Sequence, residues 1–276
     1  MEPWEVLLSS ALVAAVVGPI ASFFAQRALA ERQSKIDYEA RARIRLYEAV
    51  GPLRFQLLMA SRDLVRRVSD HHRRRWIMSP SQYYGRSFVY RLLRPLAVAH
   101  LIEREMSFAD FSVDPDAVAL LRFQTAADRM LTGADAVEGH PGLDWSTQSQ
   151  HVFRDNLRAA AATLISSSEP GVPAVLDYSA FSERFPDPSA VPTLEPLARL
   201  FDGCESNLTE NAIFWARVVG YAYVCAWILR TQGADLGFSD RALGVEEMLR
   251  ATSDPYIEAQ AQDARQRFDA VISEGL

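Results

Sequence analysis

The feature that constrains this chain most is a run of 20 uncharged, mostly apolar residues close to its start, from Val6 to Ala25. At about 1.5 Å per residue, a helix of this length covers roughly 30 Å, which is the hydrocarbon thickness of a bilayer. The strongly apolar side chains in the run contribute about −3 to −6 kcal/mol to membrane insertion. The sequence therefore predicts a single N-terminal transmembrane helix, with the anchor occupying residues 1–26.

The alternative interpretation of this run is a cleaved secretory signal. Residues 28–30 resemble a small-residue cleavage site, but a secretory signal carries a positive segment before its apolar core. The residues that precede the run include Glu2 and Glu5 and no basic side chain, which favours an uncleaved anchor. Positive flanks stay on the cytoplasmic side. The basic residues after the run therefore predict a bacterial inner-membrane protein with its N-terminus outside and its C-terminal domain in the cytoplasm.

Basic side chains beyond the run are candidates for contact with anionic membrane lipid, where each contributes about 1 kcal/mol. One group follows the anchor directly, and a second group lies in a basic run at 71–76 that ends in an aromatic ring. The predicted lipid contacts are Arg27, Arg32, Lys35, Arg73, Arg74, Arg75 and Trp76. An ordinary solvated helix end is the alternative for the second group, and a nucleic-acid partner is the least favoured interpretation.

Small residues recur every four positions along the predicted span, at Ser10, Ala14, Gly18 and Ser22. Such a stripe lets two helix backbones approach closely in a membrane. It predicts a homo-oligomer that forms through the transmembrane helix. The alternative is compositional, because small residues are frequent in membrane helices.

After the anchor, the chain has the apolar periodicity of an all-α protein. A juxtamembrane stem helix is predicted over residues 27–70, with a bend at Gly51 and Pro52 because proline lacks an amide donor. Its thin apolar stripe fits either a solvated stalk or one strand of a short coil. Residues 71–276 are predicted to form a multi-helix cytoplasmic domain, with helices at 86–104, 115–132, 147–166, 193–202, 207–232, 239–252 and from 255 onward.

Two segments depart from this helical rhythm. Five prolines fall within 168–192, a candidate subdivision that forms either a binding loop or a segment packed on the core through Tyr178, Phe181 and Phe185. Residues 212–229 are apolar almost throughout, but Arg217 would cost about 2.5 to 3.5 kcal/mol at the middle of a bilayer. A central core helix is therefore favoured there over a second span.

The sequence contains no catalytic motif that supports an enzyme. It has no phosphate-binding glycine loop, nucleophile elbow or HExxH helix, and it predicts no cofactor and no metal. Cys204 and Cys225 are spaced like neither a metal knuckle nor a redox pair, so buried free thiols are expected. His100 and Glu103 lie three residues apart on a predicted helix, which without further ligands is weak as a metal or proton-transfer site.

The charge of the chain is polarised between its two halves. Residues 1–105 carry 17 basic and 10 acidic side chains, or +7, and residues 106–276 carry 12 and 25, or −13. Either the basic half faces anionic lipid and the acidic half is repelled from it, or the two halves neutralise each other within one fold. We expect a membrane-anchored interaction or signalling protein whose acidic half recruits an unknown protein partner. The alternatives are a membrane-perturbing effector, as in toxin or phage-defence systems, and a membrane-tethered enzyme of unknown reaction.

Overall fold

The computed structural model describes residues 3–107, 114–146, 150–169, 172–206, 209–238 and 243–275. The described side chains leave out those of residues 3–22, 24, 25, 115, 167–169, 172 and 173. The side chains of the small-residue stripe, Ser10, Ala14, Gly18 and Ser22, therefore lie outside the description, as do most other side chains of the predicted span.

The fold is mostly helical, and the all-α prediction is confirmed at this level. The helices are α1 (Pro3–Arg74), α2 (Tyr83–Met106), α3 (Pro115–Thr132), α4 (Arg154–Ala162), α5 (Tyr178–Arg184), α6 (Glu195–Ala198), α7 (Ala212–Gln232), α8 (Val245–Arg250), α9 (Pro255–Gln260) and α10 (Ala264–Ser273). A small antiparallel hairpin of β1 (Ile165–Glu169) and β2 (Val172–Val175) lies between α4 and α5.

The first helix, α1, is 72 residues long. Its side chains between Gln26 and Arg45 are exposed or half-buried, whereas from Leu46 onward one face is buried against α2 and α7. The helical backbone runs through Gly51 and Pro52, where the sequence favours an interruption; a bend at this position stays a prediction. Leu46, Val50 and Leu57 enter the core on either side of the proline, and this burial stabilises helix on both flanks.

Helix α7 lies at the centre of the core. Among the described residues, the helix that is long and apolar enough to cross a membrane is Thr209–Gln232, in the C-terminal half, and 94% of its apolar window is buried inside the protein. A helix that is apolar on all sides must be covered on all sides, and α1 and α3 supply most of this cover. The packing matches the core interpretation of residues 212–229.

The start and stop signals of α3 act as the sequence predicts. The Asp114 side chain accepts a hydrogen bond from the backbone N–H of Asp116 at 2.8 Å, and Gly133 ends the helix. Asp254 caps α9 in the same way. The prediction of one helix from 255 nearly to the end of the chain is wrong, because a turn at 261–263 separates α9 from α10.

The segment between α4 and α6 departs most from the sequence prediction. The predicted helix 147–166 is observed only as Arg154–Ala162, and the chain then forms the β1–β2 hairpin. In the proline-rich stretch, Phe181 and Phe185 are buried, with their ring centroids 5.3 Å apart. Tyr90 on α2 packs on Phe181 at 5.3 Å and donates a hydrogen bond from its hydroxyl to the Leu176 carbonyl. These contacts support packing on the core.

Candidate functional site

A concave site that combines charged and aromatic side chains lies where α1 ends and α2 begins. Its cavity volume is about 450 Å³. The connection of residues 75–82 turns the chain between the two helices and is fixed to the loop at 203–204. Met78 donates its N–H to the Cys204 carbonyl at 3.2 Å, and Gly203 donates to the Met78 carbonyl at 2.9 Å. The site is thus built on two packed helices and a fixed turn, and we call it the arginine pocket.

The spacing of polar residues on α1 places them on one wall of the arginine pocket. Asp63, Arg66, Arg67, Asp70 and Arg74 follow one another at steps of three or four, with one adjacent pair, and therefore share a helix face. The adjacent face carries buried side chains that hold the helix in the core, which are Leu57, Leu64, Val68 and His71. The α2 wall contributes Tyr83, Tyr84 and Arg91.

The two acidic groups of the arginine pocket are paired with arginines that do not line it. Asp63 Oδ1 lies 3.7 Å from Arg62 Nη2, and Asp63 Oδ2 lies 3.5 Å from Arg94 Nη1. Asp70 Oδ1 lies 2.6 Å from Arg73 Nη2. The four arginines that do line the pocket form no ion pair with any described carboxylate; they are Arg66, Arg67, Arg74 and Arg91. Four arginines therefore face two carboxylates in the pocket, and those carboxylates are shared with further arginines, so the pocket carries a net positive charge.

Two of these guanidinium groups converge on one buried hydroxyl. Arg67 Nη2 donates to Ser87 Oγ at 2.9 Å, and Arg91 Nη1 donates to the same oxygen and, at 3.4 Å, to the Ser87 carbonyl. Burial lowers the pKa of Arg91, and the positive charge of Arg67 lowers it further. Ser87 holds the Arg67 and Arg91 guanidinium groups close together although their positive charges repel. An anion bound between the two groups would relieve this repulsion.

Aromatic rings line the mouth of the arginine pocket. The Trp76 and Tyr84 rings meet edge to face with centroids 4.2 Å apart. The Arg67 guanidinium lies 4.5 Å from the centroid of Tyr84, and that of Arg74 lies 5.0 Å from the centroid of Trp76. Tyr83 is 62% exposed at the rim and packs edge-on against Tyr178. The rim therefore offers an accessible ring beside the charged wall.

The aromatic floor below this region contains a buried histidine. His71 contacts Trp215, Phe88 and Tyr84 with ring centroids 5.0 to 6.0 Å away. Neither of its ring nitrogens has a hydrogen-bond partner among the described residues. Burial lowers its pKa to about 4, with smaller contributions from His72 and Arg67. His71 is therefore neutral at pH 7 and acts as a packing residue.

The structure separates the residues that the sequence groups as lipid contacts. Arg74 and Trp76 meet in the arginine pocket. Arg73 does not line the pocket but pairs with Asp70 of its wall, and Arg75 is exposed beyond the helix end. Lys35 lies 39 residues before Arg74 on the same helix, or about 60 Å along its axis. The other contacts of the first group, Arg27 and Arg32, are farther still and are exposed.

Sequence reasoning missed the remaining lining residues of the pocket. Arg66 and Arg67 share a helix face with Arg74, which the periodicity of α1 could have shown. Arg91, Tyr83 and Tyr84 come from the next helix, and only the packing of α2 on α1 brings them to the same place.

A second cluster surrounds a buried cation on α7. Arg217 is 1% exposed, and its Nη1 donates to the Leu131 carbonyl at 3.0 Å. Its Nε and Nη2 atoms have no hydrogen-bond partner in the described part of the chain. The guanidinium lies 5.6 Å from the centroid of Trp145, and burial lowers its pKa to about 10.

The weak histidine and carboxylate pair named by the sequence has a structural role. His100 Nδ1 lies 3.6 Å from Glu103 Oε2, and that oxygen also accepts a hydrogen bond from Gln124 of α3 at 2.6 Å. The described ranges contain no group of three metal-ligating side chains. The hydrogen bond between Gln124 and Glu103 links α2 to α3.

Comparison with known proteins returned no relatives of this chain. No protein-family model matches it, and neither the curated proteins nor the solved structures gave a match.

Proposed function

We propose that this chain is a membrane-anchored helical interaction or signalling protein of the bacterial inner membrane, with its helical domain on the cytoplasmic side. The observation that carries the proposal is the continuity of α1. The apolar run at 6–25 belongs to the same helix whose last 29 residues, from Leu46 to Arg74, pack into the domain core. The N-terminal part of α1 is apolar enough to span a bilayer, and the C-terminal part of the same helix belongs to the domain core.

The exposed part of α1 fits a spacer between bilayer and domain. From Ala25 to Leu46 the helix rises about 30 Å, and its described side chains before Leu46 are exposed or half-buried. Arg27 and Arg32 lie within the first two turns after the predicted span, where anionic head groups attract positive charge. The domain would stand clear of the lipid surface, available to a protein partner.

Self-association through α1 completes the proposal. Leu29 and Ile36 are 64% and 58% exposed and lie seven residues apart, a spacing that places them on one face of a coil. The small residues at 10, 14, 18 and 22 continue the same helix toward its start. A parallel pair of α1 helices would cover both groups of side chains.

Fractionation of cells that express the full chain tests the anchor. We expect the protein to stay in the membrane pellet after an alkaline carbonate wash, because an inserted apolar helix is held far more strongly than a surface-bound one. Release into the supernatant, or recovery from the periplasm with a shortened N-terminus, would contradict the proposal.

A membrane two-hybrid assay tests the self-association. Gly18→Ile places a branched side chain on the small-residue stripe and should weaken the signal. Ser9→Ile is the matched control, since residue 9 lies about 180° from residue 18 around a helix. Equal signals from both variants would remove the stripe as the contact face.

A further inference from the structure

We infer that the arginine pocket binds a soluble phosphate ester that carries a planar ring, the chemistry of a nucleotide. This goes beyond the proposed function, because an anchor and an interaction surface need no small-molecule site. The inference rests on the unneutralised guanidinium groups of Arg66, Arg67, Arg74 and Arg91 around one cavity, together with the ring of Tyr83 at its rim.

The charge balance of the pocket identifies the ligand as an anion. Four arginines line it without a carboxylate partner among the described residues, while Asp63 and Asp70 are each engaged by arginines outside it. On α8, by contrast, Arg250 pairs with Glu246 of the same helix at 3.0 Å. Several cations left unpaired around a concave site create a field that concentrates anions.

The geometry of the guanidinium groups favours phosphate among anions. Arg67 and Arg91 are oriented by shared hydrogen bonds to Ser87, so less side-chain freedom is lost when a ligand binds. Each guanidinium has five N–H donors, and forked donors match the oxygens of a phosphate group. A group with several charged oxygens can meet more than one of these arginines at once, which a single carboxylate does less well.

The rim of the pocket supplies a place for a ring. Tyr83 is 62% exposed and Trp76 is 39% exposed, and both rings lie beside the arginines. Stacking of a nucleobase on an aromatic side chain contributes about 1 to 3 kcal/mol. The cavity volume of about 450 Å³ lies in the range typical of small-molecule sites.

The position of the pocket points to a solute rather than to the bilayer that holds the anchor. Arg66 lies 41 residues beyond Ala25 on α1, or about 60 Å along the helix axis. Electrostatic attraction to a lipid surface falls off within about 8 Å at physiological ionic strength. On the proposed anchoring, the head groups of that bilayer are out of reach of the pocket.

Isothermal titration of the full-length chain in phosphatidylcholine nanodiscs tests the inference. We expect ATP to bind with one site per chain, and pyrophosphate to bind at the same site at least fivefold more weakly because it lacks the ring. Arg67→Gln should weaken ATP binding about 10-fold or more, and Arg66→Gln about 5-fold. Arg66 is exposed and unpaired, so its replacement leaves the fold intact.

Arg75→Gln is the matched control. It removes the same charge one residue beyond the helix, from an exposed side chain that does not line the pocket, and should leave ATP affinity within twofold of the original. Thermal unfolding without ligand checks that each variant is folded.

Three results would overturn the inference. The first is no ATP binding to the folded original chain. The second is equal affinity for ATP and pyrophosphate, which would show that the ring of the ligand contributes nothing to binding. The third is loss of ATP binding when the nanodiscs contain phosphatidylglycerol, together with unchanged ATP binding by Arg75→Gln. That result would assign the pocket to a lipid head group.

Discussion

Replacement of Arg217 by methionine should stabilise this protein, although it removes a fully buried side chain with a hydrogen bond. Arg217 is 1% exposed, and of its donors only Nη1 is given an acceptor by the described residues, the Leu131 carbonyl at 3.0 Å. A buried cation with a single hydrogen bond is costly, whereas a methionine of similar length fills the same space without charge.

The magnitude follows from the pKa of this group. Burial lowers the pKa of Arg217 from its ordinary value to about 10, and each pKa unit corresponds to about 1.4 kcal/mol. At pH 7 the group is charged in both the folded and the unfolded chain, so the folded state bears the whole cost of about 3 kcal/mol. The substitution also leaves the Leu131 carbonyl without its donor, about 1 kcal/mol, and removes the contact with Trp145, up to about 1 kcal/mol. The net gain in unfolding free energy is about 1 kcal/mol.

Urea unfolding of the full-length chain, followed by tryptophan fluorescence, measures this change from the midpoint and slope. Arg230→Met is the matched control, because Arg230 lies on the same helix but is exposed, and its replacement should change stability by less than about 0.5 kcal/mol. A loss of more than 1 kcal/mol for Arg217→Met alone would refute the reasoning and show that the guanidinium has a partner in the folded protein.

Three further substitutions test the packing of the helices, two of them beside the arginine pocket. Gly85→Ala should cost about 3 kcal/mol of unfolding free energy, because the added Cβ would lie 2.2 Å from the backbone carbonyl oxygen of Ser79. Gly51→Ala should instead stabilise α1 by about 0.5 to 1 kcal/mol in the same urea assay, because nothing lies within 4 Å of the added Cβ. His71→Phe should reduce the loss of stability between pH 7 and pH 5. The pKa of His71 is about 4 when folded and 6.5 when unfolded, so acid favours the unfolded chain as pH falls below 6.5, by roughly 2 kcal/mol at pH 5; an unchanged acid sensitivity would contradict this assignment.

The helices that the sequence predicts best are those with both a capping signal and a distinct apolar face. Asp114 before Pro115 and Gly133 after Thr132 bound α3 as expected. The core position of 212–229 follows from its composition, since Arg217 disfavours the bilayer and the rest requires cover on all sides. The burial of Cys204 and Cys225 as free thiols is likewise confirmed.

The hairpin β1–β2 escaped sequence analysis for a physical reason. Its strands are only five and four residues long, too short for an alternating pattern to stand out from a helical one. Ile165, paired with Val175, reads equally well as the last apolar residue of a helix. Contacts with the core decide the conformation there, and local propensity does not.

The arginine pocket was only partly predictable for a different reason. The basic run at 71–76 is conspicuous in the sequence, but neighbouring residues on a helix point in different directions. Arg73 therefore pairs with Asp70, whereas Arg74 faces the pocket. The pairing of Asp63 with Arg94 across two helices is what leaves the lining arginines without a counter-charge, and a single chain segment carries no signal of it.

The two sealed thiols have a practical consequence for experiments on this chain. Burial raises the pKa of Cys204 and of Cys225 to about 12, so at neutral pH only about one native thiol in 10⁵ is ionised, and the thiolate is the reactive form. Maleimides and similar reagents will therefore not label the two native cysteines in the folded protein and will react with them only after the core has opened. Spectroscopic probes can be attached through newly introduced surface cysteines without first deleting the natural pair.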